Sequence, residues 1–274
     1  MLTKAPNLLT LQTMLARARA VGCAVGSFAP RYTPVIAPVL RAAQRAASPL
    51  IVQISQNEFG WYDVTAAEFA AVFFEQLRSQ GISVPVTLHL DHTRDFAVIK
   101  DAIAAGFTSV MIDASDKPLE ENIETEDDPE LYTDPREARR FVDETGVDAL
   151  AVSVGTVHGV YKVKQARIDF ERLAAIRAET SVPLVLHGGS GVPPADIQRA
   201  IHLPGGGVTK INIATDLENA FLAALGREKR MLNAECVALA PDEIAPGLDA
   251  VQQTVTDKIK TFLQSDGRAQ DFGL

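Results

Sequence analysis

Short aliphatic runs recur along the chain at 23–28, 50–55, 84–91, 109–113, 149–155, 184–189 and 210–215. Stretches with apolar residues three or four apart separate most of them. Ala67, Ala70, Ala71, Phe74 and Leu77 are one such set, and Val98, Ala102 and Ile103 before Gly106 are another. The short runs predict strands and the spaced stretches predict amphipathic helices. Strands alternating with helices imply parallel crossovers and an α/β fold, either an open doubly wound sheet or a closed barrel.

Strand parity separates these two. Within 84–91 the even positions Val84, Val86, Leu88 and Leu90 are aliphatic, whereas the odd ones are Pro85, Thr87, His89 and Asp91. The split recurs where Leu50, Val52 and Ile54 oppose Ile51, Gln53 and Ser55, and where Ile211 and Ile213 oppose Lys210 and Asn212. It also holds at Leu150, Val152 and Val154 against Ala151 and Ser153, and at Leu184 and Leu186 against Val185 and His187. Successive side chains leave opposite faces of a strand, so one face is uniformly apolar and the other turns polar toward the C-terminal ends. An open sheet covered by helices on both sides would be apolar on both. A TIM-type (β/α)₈ barrel fits better, with its aliphatic face under the outer helices and its polar face at the mouth, where barrel enzymes keep their chemistry.

Length alone does not choose between one domain and two, but the strand series predicts a single barrel domain over 1–274 with a C-terminal helical extension. With 47% hydrophobic and 6% aromatic residues, the chain has the composition of an ordinary soluble enzyme. No apolar run approaches the roughly 18 residues needed to cross a bilayer, and the start lacks the order of a secretory signal. A cytoplasmic location and no membrane partner are expected. Residues 1–57 contain no Asp or Glu, as in an organelle presequence, but a core strand already begins near Cys23. Cys23 and Cys236 form no CxxC pair and are expected to be buried small hydrophobes. A net charge of -9 argues against a nucleic-acid partner and leaves small anionic substrates open, since one pocket can be basic on an acidic protein.

Candidate chemistry gathers at strand ends. Leu88-His89-Leu90-Asp91-His92 closes one strand, Gly155-Thr156-Val157-His158-Gly159-Val160-Tyr161-Lys162 follows another, and Leu186-His187-Gly188-Gly189-Ser190-Gly191 a third. Of five histidines, His92, His158 and His187 stand at three different strand ends, where they can meet around one point. Three neutral imidazoles with one open position suit a catalytic Zn²⁺. His89 reads as a packed or hydrogen-bonded barrel residue, and His202, after a helix, as exposed. The glycine-rich turn 188–191 can bring backbone N–H groups and the Ser190 hydroxyl close to a phosphate. Lys210-Ile211-Asn212-Ile213-Ala214-Thr215-Asp216 places Asn212 inward and Thr215 and Asp216 at the rim, which fits the phosphate site that barrels build after their last strands.

At these motifs the chain resembles class II fructose- and tagatose-bisphosphate aldolases. The matching stretches are LHLDH (88–92), AGFTSVMIDAS (105–115), EENI (120–123), LYTDPREA (131–138), VDALAVSVGTVHGVYK (147–162), VPLVLHGGSG (182–191) and KINIATDL (210–217). The resemblance implies that Asp91 is the acid/base on the aldehyde oxygen and that His92, His158 and His187 hold zinc. It further implies that Gly159, Lys162, Gly188, Ser190, Asn212 and Thr215 surround dihydroxyacetone phosphate, with Ser55, Gly189 and Ala214 beside them, and often a monovalent cation. Zinc would then stabilise an enediolate that attacks an aldehyde. A phosphorylated sugar substrate and a homo-oligomer, dimer or tetramer, are expected.

The departures fall in two places. Where the family usually has Phe-Asn, this chain has Phe28-Ala29 followed by Pro30-Arg31-Tyr32. Ser55 is kept, but Gln56-Asn57-Glu58 replaces a glycine-rich turn, and Thr93-Arg94 replaces a small residue. The dihydroxyacetone phosphate half therefore reads as intact and the aldehyde half as altered. Relatives also carry a helix, a fifth strand and a mobile loop with the proton-abstracting carboxylate, yet residues 114–134 are too few for all three. Glu126 is the candidate remnant. Either the protein has lost the element or the sequence closes over an omitted stretch near Ile123. The second fits better, because a lost barrel strand leaves two unpaired edges in the core.

Two other classes remain open from sequence. A metal-dependent barrel hydrolase would more often show a His-x-His pair on its first strand, and Gly26-Ser27-Phe28 has none. A non-catalytic paralogue would have lost ligands or Asp91.

Overall fold

The computed structural model describes residues 5–113, 132–156 and 167–273. All seven expected strands form: β1 Val25–Phe28, β2 Leu50–Ser55, β3 Val86–Thr93, β4 Ser109–Ile112, β5 Leu150–Val152, β6 Leu184–Leu186 and β7 Val208–Ile213. They make one sheet in the order β4-β3-β2-β1-β7-β6-β5, with every pairing parallel. First and last strands are neighbours, which is the cyclic order of a barrel interrupted at one place. That place lies between β4 and β5, which form no pair with each other among the described residues. A fifth strand belongs there, and among the described residues it is missing. Ile112, at the end of β4, is accordingly 66% exposed although it is an aliphatic strand residue. The stretch near Ile123, where the sequence was expected to close over omitted residues, lies outside the described residues.

The helices are α1 Leu11–Ala20, α2 Ile36–Arg45, α3 Gln56–Tyr62, α4 Ala66–Ser79, α5 Phe96–Ala105, α6 Pro135–Thr145, α7 Phe170–Glu179, α8 Pro194–Ile201, α9 Thr215–Ala224, α10 Asn233–Val237 and α11 Pro241–Asp257. Local signals set their ends. Ser55 with Glu58 and Thr65 with Glu68 form capping boxes for α3 and α4, while Asp95, Asp134 and Asp169 cap α5, α6 and α7. Gly106 and Gly146 end α5 and α6 in left-handed geometry that a β-carbon would oppose.

Two apolar clusters match the two strand faces. The larger lies between the sheet and its helices and takes Leu50, Val52, Ile54, Val86, Leu88, Leu90, Leu184, Leu186, Ile211 and Ile213. The smaller plugs the N-terminal end of the barrel, where Met14, Leu15 and Ala18 of α1 and Phe272 cover Val25, Ile51 and Val185. Cys23 joins the plug, Cys236 the outer cluster, and both thiols are free. The helix faces turn slightly from those expected. On α4, Phe69 and Phe73 enter the core with Ala66, Ala70 and Leu77, while Ala67 and Ala71 face out. On α5, Ile99 and Ala102 are buried and Ile103 is exposed. Large side chains remove more apolar area from water than alanine, so they set the rotation. No helix among the described residues is long and apolar enough to cross a membrane.

Candidate active site

Above the apolar plug, the barrel interior is polar and almost sealed. Ser27, Gln53, His89, Asp91, Lys210 and Asn212 come from β1, β2, β3 and β7 and are all buried. The Asp91 carboxylate organises them. Its Oδ2 accepts from Gln53 Nε2 at 3.1 Å and Asn212 Nδ2 at 2.9 Å, and its Oδ1 faces His89 Nε2 at 3.3 Å and Lys210 Nζ at 3.6 Å. Lys210 Nζ also donates to Asn212 Oδ1 at 2.6 Å, and the Ser27 hydroxyl donates to Gln53 Oε1. Burial alone would raise the Asp91 pKa, but Lys210 and the neighbouring imidazoles hold it well below the carboxylate range. Burial and the Lys210 charge push His89 down to about 4, so His89 is neutral near pH 7, and its Nδ1 is 2.8 Å from Ser109 Oγ.

Asp91 and His92 are adjacent, and regular alternation would put them on opposite faces of β3. An irregularity resolves this. The β3–β4 register shifts between Leu90 and Thr93, and His92 takes φ 41°, a left-handed conformation uncommon outside glycine. The bulge turns the imidazole into the mouth. There it meets His187 edge-on, with ring centroids 4.5 Å apart and planes at 76°. Asp113, just beyond β4, holds His92 Nδ1 at 3.0 Å. Burial opposes the charged imidazole, but that hydrogen bond and the Asp91 charge outweigh it and raise the His92 pKa. His187 follows β6, and Thr156 Oγ1 donates to its carbonyl at 2.7 Å. Ligand atoms of Asp91, His92 and His187 all lie within 4.8 Å of one another, a donor set suited to a divalent ion.

The profile described as fructose-bisphosphate aldolase class-II matches residues 9–128 and 124–268. The chain belongs to the class-II fructose-bisphosphate aldolase family. It is an aldolase and therefore a lyase, and the family is metal-dependent and acts on phosphorylated sugars. The fructose-bisphosphate aldolase of Staphylococcus aureus is 34% identical over 292 positions, covering 93% of this chain and 97% of the relative. That alignment is longer than the 274 residues available here, so the relative carries residues with no counterpart in this chain. The YdjI aldolase from Escherichia coli K12 superposes with TM-score 0.78 at 32% identity, over 96% of this chain and 99% of that one. The Campylobacter jejuni fructose-bisphosphate aldolase, at 23% identity and TM-score 0.73, shares the fold over 94% of this chain and 96% of its own. Barrel-hydrolase chemistry gives way to this assignment.

Of the residues expected in the aldolase site, Asp91, His92, His187 and Asn212 converge directly. The glycine turn lies against β7, where Gly189 N donates to Asn212 O at 3.1 Å and the backbone N–H of Asp216 donates to Ser190 Oγ at 3.3 Å. Gly188 has φ 63°, Ala214 and Thr215 begin α9, and Ser55 begins α3. His158, Gly159, Lys162 and Glu126 lie outside the described residues. Sequence reading gave no role to Asp113, Gln53 or Lys210. The inward parity of Gln53 and Lys210 was the available signal, whereas Asp113 shows itself only through its contact with His92. His89 and His202 are as expected, the first buried and bonded, the second exposed.

Gly189 supplies a stability test. A β-carbon there would meet Ile211 Cγ2 at 2.6 Å and Asn212 O at 2.7 Å. Gly189→Ala is expected to destabilise by about 1–3 kcal/mol through overpacking. Gly60, inside α3 with nothing within 4 Å, is the control. Gly60→Ala is expected to be stabilising by about 0.4–1 kcal/mol, and urea denaturation of both variants reads the contrast.

Proposed function

We propose that this aldolase, a single barrel domain over 1–274 with a C-terminal helical extension, cleaves and forms ketose phosphates through a dihydroxyacetone phosphate enediolate, using one Zn²⁺. His92, His158 and His187 would hold the ion, and the Asp113 contact on His92 Nδ1 would leave Nε2 as the coordinating atom. When bound, the ion supplies a Lewis acid for the negative charge that develops on the ketose carbonyl side. The supporting observation is the meeting of His92 and His187 beside an Asp91 held in its charged form.

In the cleavage direction a base must take the proton of the hydroxyl that becomes the aldehyde oxygen. A charged carboxylate in a fixed position is ready for that role, and in synthesis the same group returns the proton. The four partners of Asp91 fix where its oxygens point, so the geometry exists before substrate arrives. Glu126 is the candidate carboxylate for the proton on the enediolate carbon. Backbone N–H groups of Gly188, Gly189 and Ser190, with Ala214 and Thr215 at the start of α9, would cradle the phosphate, and Asn212, Ser55, Gly159 and Lys162 would complete that side, with a monovalent cation beside it. A cytoplasmic homo-oligomer, dimer or tetramer, without nucleic-acid or membrane partners, completes the reading.

The experiment is a retro-aldol panel of ketose phosphates with and without chelator. Release of dihydroxyacetone phosphate that disappears on chelation and returns with Zn²⁺ is expected. Cleavage indifferent to exhaustive chelation would refute the metal assignment.

A further inference from the structure

Arg31, Glu58, Tyr62 and Glu218 meet on the side of the mouth where β2, β1 and β7 end. Arg31 follows β1 with φ 63°; its Nε is 2.7 Å from Glu58 Oε1 and its Nη1 pairs with Glu218 Oε2. The Tyr62 hydroxyl donates to Glu218 Oε1 at 2.6 Å, and the Arg31 guanidinium lies 5.9 Å from the Tyr62 ring centre. Glu58 cannot wander, because its Oε2 accepts from Ser55 N at 2.9 Å in the α3 capping box. The Arg31, Glu58 and Glu218 side chains keep only 12%, 7% and 11% exposure, so water screens them poorly.

The cluster adjoins the reacting groups. Ser55 is in register with Asp91, and Ala29 N donates to Ile213 O at 3.1 Å, tying the Arg31 loop to the strand that carries Asn212. The glycine turn stands on the far side of β7, at the end of β6. A ketose with its phosphate on that turn and its carbonyl between His92 and His187 extends its remaining carbons toward β1 and β2. What it meets is an arginine whose fork is already committed to two carboxylates. A second phosphate would find that cation already offset by two carboxylates, with one negative charge in excess. Arg230 stacks on Trp61 and Tyr62, 5.1 and 5.6 Å from their ring centres, but it is exposed and its charge is screened. Hydroxyl groups suit the same surface, since the carboxylates accept from them.

Resting on the aldolase reading above, the geometry points to Arg31, Glu58, Tyr62 and Glu218 as a specificity element that selects an uncharged polyol aldehyde. The substrate class is then a ketose 1-phosphate and not a ketose bisphosphate.

The test is steady-state cleavage of fructose 1-phosphate and fructose 1,6-bisphosphate by the metal-loaded full chain. The 1-phosphate is expected to have a kcat/KM at least about tenfold higher, the effect of one unfavourable charge contact in a weakly screened site. Glu218→Gln keeps an acceptor for Tyr62 and removes one charge, so it is expected to shift the ratio toward the bisphosphate, mainly through KM; Glu58→Gln serves if Glu218→Gln does not fold. A wild-type preference for the bisphosphate overturns the proposal while leaving the aldolase reading intact. Equal losses on both ketoses with a lower Tm assign the cluster a structural role and also overturn it. Release of dihydroxyacetone phosphate from neither ketose removes the aldolase reading and this inference together.

Discussion

His187→Ala is expected to lose bound zinc on dialysis and to lower retro-aldol kcat by at least about a thousandfold, equivalent to roughly 4 kcal/mol of transition-state stabilisation. The ring of His187 stands 4.5 Å from that of His92, and its ligand atom lies within 4.8 Å of those of His92 and Asp91, so no other described side chain can take its place. Two imidazoles without the third leave an open, weakly held ion. The apo fold should be nearly unaffected, because the His187 backbone keeps its bond from Thr156 Oγ1 and Gln53, Asn212, His89 and Lys210 still surround Asp91. The metal-loaded protein should lose the added stability that binding confers, and its Tm should cease to respond to zinc. Metal analysis after dialysis reads the zinc loss, thermal melts with and without zinc read both stability effects, and the retro-aldol assay reads kcat. Full zinc content with chelator-sensitive activity would show that the ligand assignment is wrong.

The barrel was legible because a strand records two environments at once. Leu88 and Leu90 pack under the helices while Thr87, His89 and Asp91 face inward, and the clusters fall along that division. Parity also shows why the gap was visible. Residues 114–134 hold no aliphatic alternation, and among the described residues β4 and β5 form no pair with each other, with Ile112 exposed. The two overlapping family matches, 9–128 and 124–268, meet at the same stretch. Helix rotation was less legible. Alanine fits core or surface almost equally, so the set Ala67, Ala70 and Ala71 could not outweigh Phe69 and Phe73, which carry far more apolar area.

The site divides in the same way. His92 and His187 could be placed because each ends a strand, but His92 reaches the mouth only through a bulge that simple alternation does not foresee. Lys210 is a lysine in the middle of an aliphatic strand, which sequence records as inward polarity and nothing more. Its meaning appears when Asp91, 119 positions away in the chain and on another strand, is found 3.6 Å from it. The Arg31 cluster joins the segment after β1 to α3 and α9, and no local pattern links three segments so far apart in sequence.

Asp91→Asn separates chemistry from architecture. The substitution keeps the shape of the side chain, yet the carboxylate accepts from Gln53 and Asn212 on one oxygen and faces His89 and the Lys210 charge with the other, whereas an amide offers one oxygen and one donor. Whichever way the amide turns, its NH₂ confronts either Gln53 and Asn212 or His89 and Lys210. Lys210 is only 1% exposed and would lose its counter-charge, so destabilisation of about 3–5 kcal/mol is expected in urea unfolding. Activity should fall by about 10²–10⁴ because the proton-transfer group is gone. Adding Lys210→Met removes the stranded charge at similar volume and should restore a substantial part of the stability without restoring activity. Recovery of both in the double variant would mean that Asp91 serves the fold alone, and proton transfer would then have to be assigned to another group.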